Sequence, residues 1–294
     1  MSDKEFLDMI VKATDIFAGE PNFIEIVPDK SCVFISDLHG DYENTEKIIK
    51  KYGSNYILVF LGDYVDRAIE RGGSIKTLEL LLQRKLEKPK ETIILRGNHE
   101  FKEVFRVYGF LEELGLEVMH NLQAPFEKMF SQLPYIVGTD NGLLGLHGGL
   151  PNIFSIDQLY DIPKGVYSRA DDWRISQIVW NDHSTATLSA QIEMFDRFNS
   201  QGLSGNVERG AAGMSMLFYD KHFFDEKMKL LGKNVLVRGH DKDAKGYSYD
   251  NRLLTIFSSR IYSDYGKIKG AYVAVMEDPQ KELKSALDLK IEKL

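Results

Sequence analysis

Five short polar motifs, each set directly after an apolar run of strand length, constrain this chain more than any other feature. They are Ser36-Asp37-Leu38-His39-Gly40, Gly62-Asp63-Tyr64-Val65-Asp66-Arg67, Gly97-Asn98-His99-Glu100, His147-Gly148-Gly149-Leu150 and Arg238-Gly239-His240. The preceding runs, Cys32 to Ile35, Tyr56 to Leu61, Thr92 to Leu95, Leu143 to Leu146 and Val235 to Val237, read as buried strands. In open α/β sheets the carboxyl ends of strands form the crevice where ligands bind, so five strand tips are expected to meet at one pocket. Residues from Asp37 to His240 can meet only if most of the chain folds together, and 1–294 is expected to form a single catalytic domain. Aspartate, asparagine and imidazole donors suit Mn, Fe or Zn. The sequence reads as a two-metal hydrolase.

Two further strand runs cover Leu253 to Phe257 and Ala271 to Met276. Helical spacing recurs at Tyr42 to Lys51, Ser74 to Glu87 and Tyr219 to Leu231, so the first half alternates strand and helix, as parallel strands covered by helices do. Residues 4–18 predict an amphipathic helix with Phe6, Met9, Ile10, Ala13 and Phe17 on one face, ended by Gly19-Glu20-Pro21. Asn181 to Ser215 is irregular. Within it, Leu188, Ile192, Phe195 and Phe198 fall near helical spacing, which predicts a rim insertion at about 183–208. The charged tail, about 277–294, reads as a short surface helix.

With 43% apolar and 28% charged residues the chain can bury a sizeable core. Its net charge of −7 is spread over mixed-sign stretches without a basic run, which argues against nucleic acid as a partner. No stretch is apolar enough for a signal peptide or a bilayer span, so a cytoplasmic location and no membrane partner are expected. The single cysteine, Cys32, sits in an apolar run and reads as a buried core thiol.

These motifs closely resemble the phosphoprotein phosphatase family of serine/threonine phosphatases, within the metallophosphoesterase superfamily, in the form of a stand-alone prokaryotic or archaeal-type member. Further landmarks stand in family order: Gly19-Glu20-Pro21-Asn22, Leu95-Arg96, Arg106 followed by Tyr108-Gly109-Phe110, Leu133-Pro134 and Arg209-Gly210. The resemblance implies an α/β fold, a β-sandwich of two mixed sheets flanked by helices with the active site at strand carboxyl ends. It implies two divalent metal ions, Mn2+ expected and Fe or Zn compatible, one held by Asp37, His39 and Asp63 and the other by Asp63, Asn98, His147 and His240. The expected reaction is hydrolysis of phosphomonoesters by a hydroxide bridging the two metals, so no Ser or Cys nucleophile is needed. The alkoxide that leaves must be protonated, and His99, oriented by Asp66, is the expected general acid. Arg67 and Arg209 fit the family's phosphate-binding positions, as guanidinium forks match phosphoryl oxygens. Tyr262, Arg260 and Tyr108 are expected at the substrate rim.

Departures from the family pattern bear on specificity. Ser36 and Ala68 replace glycines, and the family's Ser-Ala-Pro-Asn-Tyr-Cys appears as Ser258-Ser259-Arg260-Ile261-Tyr262-Ser263, without the reactive cysteine. Phosphorylated Ser/Thr proteins are the expected substrates, and nothing in the sequence argues for a regulatory subunit. The alternative is a dinucleoside polyphosphate or other small phosphoester hydrolase of the same superfamily. Glu100 after Asn98-His99, in the company of Tyr108-Gly109-Phe110, favours the protein-phosphatase branch. A non-catalytic phosphoprotein-binding pseudoenzyme would lack ligands, and none of the inferred ligands is missing.

Overall fold

Side chains along the central strands alternate between two apolar layers, and this alternation sets the architecture. The computed structural model describes residues 2–184, 198–206, 209 and 216–294, the side chains of 116–121 excepted. The strands, in chain order, are β1 (Phe23–Ile26), β2 (Cys32–Ile35), β3 (Ile57–Phe60), β4 (Thr92–Ile94), β5 (Ile136–Thr139), β6 (Leu143–Leu146) and β7 (Asp182–His183). They continue with β8 (Leu203–Gly205), β9 (Leu217–Tyr219), β10 (Val235–Arg238), β11 (Gly246–Ser248), β12 (Leu253–Thr255), β13 (Tyr272–Met276) and β14 (Lys290–Lys293). The helices are α1 (Asp3–Gly19), α2 (Tyr42–Tyr52), α3 (Gly73–Glu87), α4 (Lys102–Phe105), α5 (Phe110–Ser131), α6 (Asp157–Tyr160), α7 (Trp173–Trp180) and α8 (Lys221–Leu230).

One sheet runs β1-β5-β6-β10-β12-β11 and a second β14-β13-β2-β3-β4. Each contains a parallel trio, β6-β10-β12 in the first and β2-β3-β4 in the second, extended by antiparallel neighbours. Cys32, Phe34, Val59 and Leu61 pack between the sheets with Val137, Val235, Val237 and Leu254. The alternate residues Val33, Ile35, Leu58 and Phe60 face outward onto Phe6, Ile10 and Phe17 of α1, Ile48 of α2 and Leu81 of α3. On the far side Leu144, Leu146 and Leu236 meet Ile175 and Ile178 of α7 and Phe223 and Phe224 of α8. The result is helix, sheet, sheet, helix. Each fully buried Val, Leu, Ile or Phe contributes about 1.5–3 kcal/mol, and strands buried on both faces need the continuous apolar runs this sequence has.

Local chemistry sets the ends. Ser2 and Glu5 form a reciprocal cap at the start of α1, and Asp41 caps α2 through its bond from the Asn44 N–H at 3.3 Å. Asp220 caps the last helix at Lys221, so Tyr219 belongs to β9 rather than to the helix its spacing predicted. Two further expectations change. A third, three-stranded sheet, β7-β9-β8, draws two of its strands from the stretch read as irregular. The tail is not a surface helix: Ala286–Asp288 is a short 3-10 turn, and β14 pairs antiparallel with β13. Buried Leu283, Ala286 and Leu289 anchor it, and its charges suit an edge strand. The proposed rim insertion falls mostly on 185–197, which lie outside the described residues. Cys32 is buried, and burial pushes its thiol up to about 12. Among the described residues no helix is long and apolar enough to cross a membrane.

Candidate functional site

The loops that leave the two parallel trios turn through left-handed backbone. Nine described non-glycine residues have positive φ, and six come from the motifs: Asp37 (49°), His39 (43°), Asp63 (60°), Asp66 (68°), Arg67 (57°) and His240 (71°). Such conformations cost about 1–3 kcal/mol each and persist where surrounding structure over-determines them. Left-handed turns, not an extended tip, bring Asp37 and His39 to one side. Close approach matters as well, since a Cβ on Gly239 would overlap Oδ2 of Asp37 and Oγ of Ser36.

Asp37 and His39 follow β2, Asp63 follows β3, Asn98 and His99 follow β4, His147 follows β6 and His240 follows β10. The two sheets therefore contribute to one constellation. Oδ2 of Asp63 lies 3.5 Å from His39 Nε2, and Oδ1 of Asp63 lies 3.3 Å from His147 Nε2. Donor atoms of Asp37, Asp63 and His147 fall within 4.8 Å of one another, as do those of His39, Asp63 and His99. Asn98 Oδ1 is 2.8 Å from His147 Nε2 and 3.0 Å from His240 Nδ1. Oδ2 of Asp37 accepts from Ser36 Oγ at 2.7 Å and from the His240 N–H at 3.0 Å, which leaves Oδ1 for the pocket.

These residues fit divalent cations. The Val65 carbonyl accepts from His39 Nδ1 at 2.8 Å, so Nε2 carries the lone pair, and this buried atom has no hydrogen-bond partner among the described residues. The Leu61 carbonyl likewise accepts from His147 Nδ1 at 3.1 Å, leaving Nε2 as an acceptor that faces another acceptor, Asn98 Oδ1. Two acceptors in contact need a proton or a cation between them. Burial and His99 hold His39 well below the usual imidazole range, and burial and Arg209 do the same for His240, so both are neutral donors. Burial opposes ionisation of Asp63, but His147 and His99 outweigh it and hold the carboxyl well below its usual range.

His99 stands beside this set. Its Nδ1 is 2.6 Å from Asp66 Oδ2, and its Nε2 faces Asp63 Oδ2 at 3.9 Å. Asp66 does not cap α3, whose N-cap is Gly72. Arg67 forms no ion pair with Asp66: it donates from Nη1 to the Tyr262 hydroxyl at 2.7 Å and stacks on Tyr108 at 5.1 Å. Arg209 donates from Nε to Asp182 Oδ2 at 3.0 Å. A cavity of about 230 Å³ brings together Arg67, Arg209, His240 and Tyr262. Tyr108 is half exposed at the rim, whereas Tyr262 is buried against His39. Arg260 is not an unpaired rim cation, because Asp41 and Glu43 engage its guanidinium.

Two residues that the motifs left without a role organise the site. Glu100 is fully buried and accepts from the backbone N–H groups of Asp63 and Gly97, each at 2.9 Å, and of Tyr64 at 2.8 Å, tying the β3 and β4 loops together. Asp182 accepts from Arg238 Nη2 at 2.8 Å with its second oxygen. Burial opposes its charge, but His240, Arg209 and Arg238 together hold the carboxyl well below its usual range. In the sequence it is marked by nothing more than its place at the start of the irregular stretch.

Comparison with known proteins agrees with this constellation. A family model described as calcineurin-like phosphoesterase matches residues 31–244, which contain the motifs from Asp37 to His240. A Caenorhabditis elegans protein named as a putative serine/threonine-protein phosphatase is 29% identical over 280 residues, covering 93% of this chain. The chain spans 57% of that relative's length. A solved Saccharomyces cerevisiae structure, titled a protein serine/threonine phosphatase with similarity to human phosphatase PP5, superposes with a TM-score of 0.80 at 22% identity. That match covers 99% of this chain and 89% of the other, and shows a shared fold. The family model matches well over half of the chain and includes the strand tips that carry Asp37 to His240, and the chain belongs to the calcineurin-like phosphoesterase family.

Proposed function

We propose that this chain is a metal-dependent serine/threonine protein phosphatase. The observation that carries the reading is the division of Asp63: one carboxylate oxygen faces His39 and the other faces His147, while His99, 3.9 Å from the first oxygen, is paired through its other ring nitrogen with Asp66. Asp37, His39 and Asp63 would hold one divalent cation, and Asp63, Asn98, His147 and His240 the other, with Mn2+ the expected ion. Such a pair supplies Lewis acidity to phosphoryl oxygens and acidifies water. Arg67 and Arg209 line the same cavity and bind the non-bridging oxygens, whose charge a guanidinium fork matches. Asp182 holds Arg209 in reach. His99 delivers the proton from Nε2 to the departing alkoxide, and Asp66, on the opposite ring nitrogen, fixes the imidazole for that transfer. No serine or cysteine nucleophile is required. Cys32 lies inside the sandwich, away from the pocket.

A phosphoprotein substrate is favoured by the Glu100 and Tyr108-Gly109-Phe110 landmarks, and it matches the name of the nematode relative. The deciding experiment compares phosphate release from a phosphoserine peptide and from diadenosine tetraphosphate after chelation and re-addition of Mn2+. Metal-dependent turnover of the peptide is expected. Preference for the dinucleotide would overturn the substrate class and leave the residue roles, and silence on both would mark a non-catalytic binding protein.

A further inference from the structure

Where the family's loop has proline, this chain has Arg260, and the structure gives that arginine specific partners. Its N–H and Nε donate to Asp41 Oδ2 at 2.8 and 3.0 Å, and Nε and Nη2 donate to Asp41 Oδ1 at 3.0 and 2.8 Å. Nη1 donates to Glu43 Oε2 at 2.6 Å. Asp41 is fully buried and caps α2, so the fork is fixed to the end of a packed helix. From the other side Lys245 Nζ donates to the Tyr262 carbonyl at 2.7 Å and to the Gly270 carbonyl at 2.9 Å. Between these anchors Arg260–Tyr262 makes one 3-10 turn. Its Tyr262 ring packs on Phe257 at 4.7 Å and on His39 at 5.5 Å, and its hydroxyl accepts from Arg67 Nη1.

We infer that Arg260 is a positioning residue: anchored to Asp41 and Glu43, it fixes Tyr262 and, through the Tyr262 hydroxyl, the Arg67 guanidinium in its phosphate-binding pose. This rests on the reading of Arg67 as a phosphate ligand. A long side chain that is already ordered loses less freedom when it meets an anion, so the latch acts on phosphate affinity. It acts little on proton delivery by His99, which has its own support in Asp66.

The test uses the full chain loaded with Mn2+, with Arg260→Ala, Arg260→Lys and Tyr262→Phe each made alone and Arg260→Ala combined with Tyr262→Phe. The side chain is 38% exposed, so its removal is compatible with folding. Arg260→Ala is expected to raise both KM for a phosphoserine peptide and Ki for inorganic phosphate by about tenfold, with a smaller fall in kcat, and Arg260→Lys to keep part of the effect. Because both changes break one chain of contacts, the double variant is expected to be no worse than Tyr262→Phe alone. Wild-type KM and Ki in Arg260→Ala, a loss confined to kcat, or effects that multiply would overturn the inference. A wild-type protein that neither cleaves the peptide nor binds phosphate overturns the phosphatase reading and this inference with it, whereas an active wild type beside an indifferent Arg260→Ala overturns only the latter.

Discussion

Nδ1 of His99 lies 2.6 Å from Oδ2 of Asp66, and the other oxygen of that carboxylate accepts from the Phe110 N–H at 2.9 Å. Held at both oxygens, Asp66 cannot swing away. The imidazole is therefore fixed with Nε2 toward Asp63, and its edge-to-face contacts with Tyr108 at 5.2 Å and His39 at 4.7 Å restrict the remaining freedom.

For His99→Asn the expected outcome is retained metal with kcat on a phosphoserine peptide reduced about 10²–10⁴-fold, the range a positioned general acid supplies. Aryl phosphates, whose phenolate leaves without much protonation, should lose far less. Steady-state kinetics on both substrates check this, and equal losses would remove the acid role.

Replacing Asp63 by Asn leaves a neutral amide where the cations that His39 and His147 would hold share a carboxylate. Metal content after dialysis, read by mass spectrometry, should fall together with activity. A variant that kept two equivalents would contradict the shared position.

Glu100→Gln tests the clamp between the β3 and β4 loops. The carboxylate accepts three backbone N–H groups on two oxygens, and an amide must turn its NH2 toward at least one of them. An unsatisfied buried donor costs about 1–3 kcal/mol, so calorimetry should show a lower melting midpoint, and titration with Mn2+ a weaker affinity. Unchanged values in both would show that the loops hold without it.

Asp182→Asn strands a buried cation. Arg238 is fully buried with Asp182 as its carboxylate partner, and breaking such a pair costs about 3–5 kcal/mol. Urea unfolding should report the loss, and KM should rise because Arg209 loses the same anchor. A stable variant with raised KM alone would assign Asp182 to the pocket and not to the fold.

Much of this was legible because the central strands are buried on both faces. Runs such as Cys32 to Ile35 and Val235 to Val237 are then continuous in apolar residues, and polar residues directly after them stand out. The helices α2 and α3 were legible for the complementary reason, that each buries one face. What the sequence hid was conformation and long-range pairing. Nothing in Asp37-Leu38-His39 announces left-handed backbone, which the Gly62 and Asp63 carbonyls hold by accepting from the Asp37 and His39 N–H groups. Glu100 is only a branch marker in the sequence until its three N–H partners are seen, and Asp182 stands 56 positions from Arg238. The helix α5 was missed because Gly115 and Pro125 interrupt its period. In the tail, short spacing of Leu283, Ala286 and Leu289 imitates a helix although the last residues pair as an edge strand.

The pocket's ligand-type residues are shared between two separate sheets: Asp37, His39, Asp63 and Asn98 ride on one, His147 and His240 on the other. The thickness of the apolar filling between those sheets, set by side chains such as Phe34, Val59, Val237 and Leu254, is therefore the gauge that spaces the two halves. Close-packed interiors transmit displacement rather than absorb it. A methyl group lost deep in the sandwich would be felt in the pocket as slack between Asn98 and His147, so the spacing of the ligand-type residues is tuned by side chains that do not line the pocket.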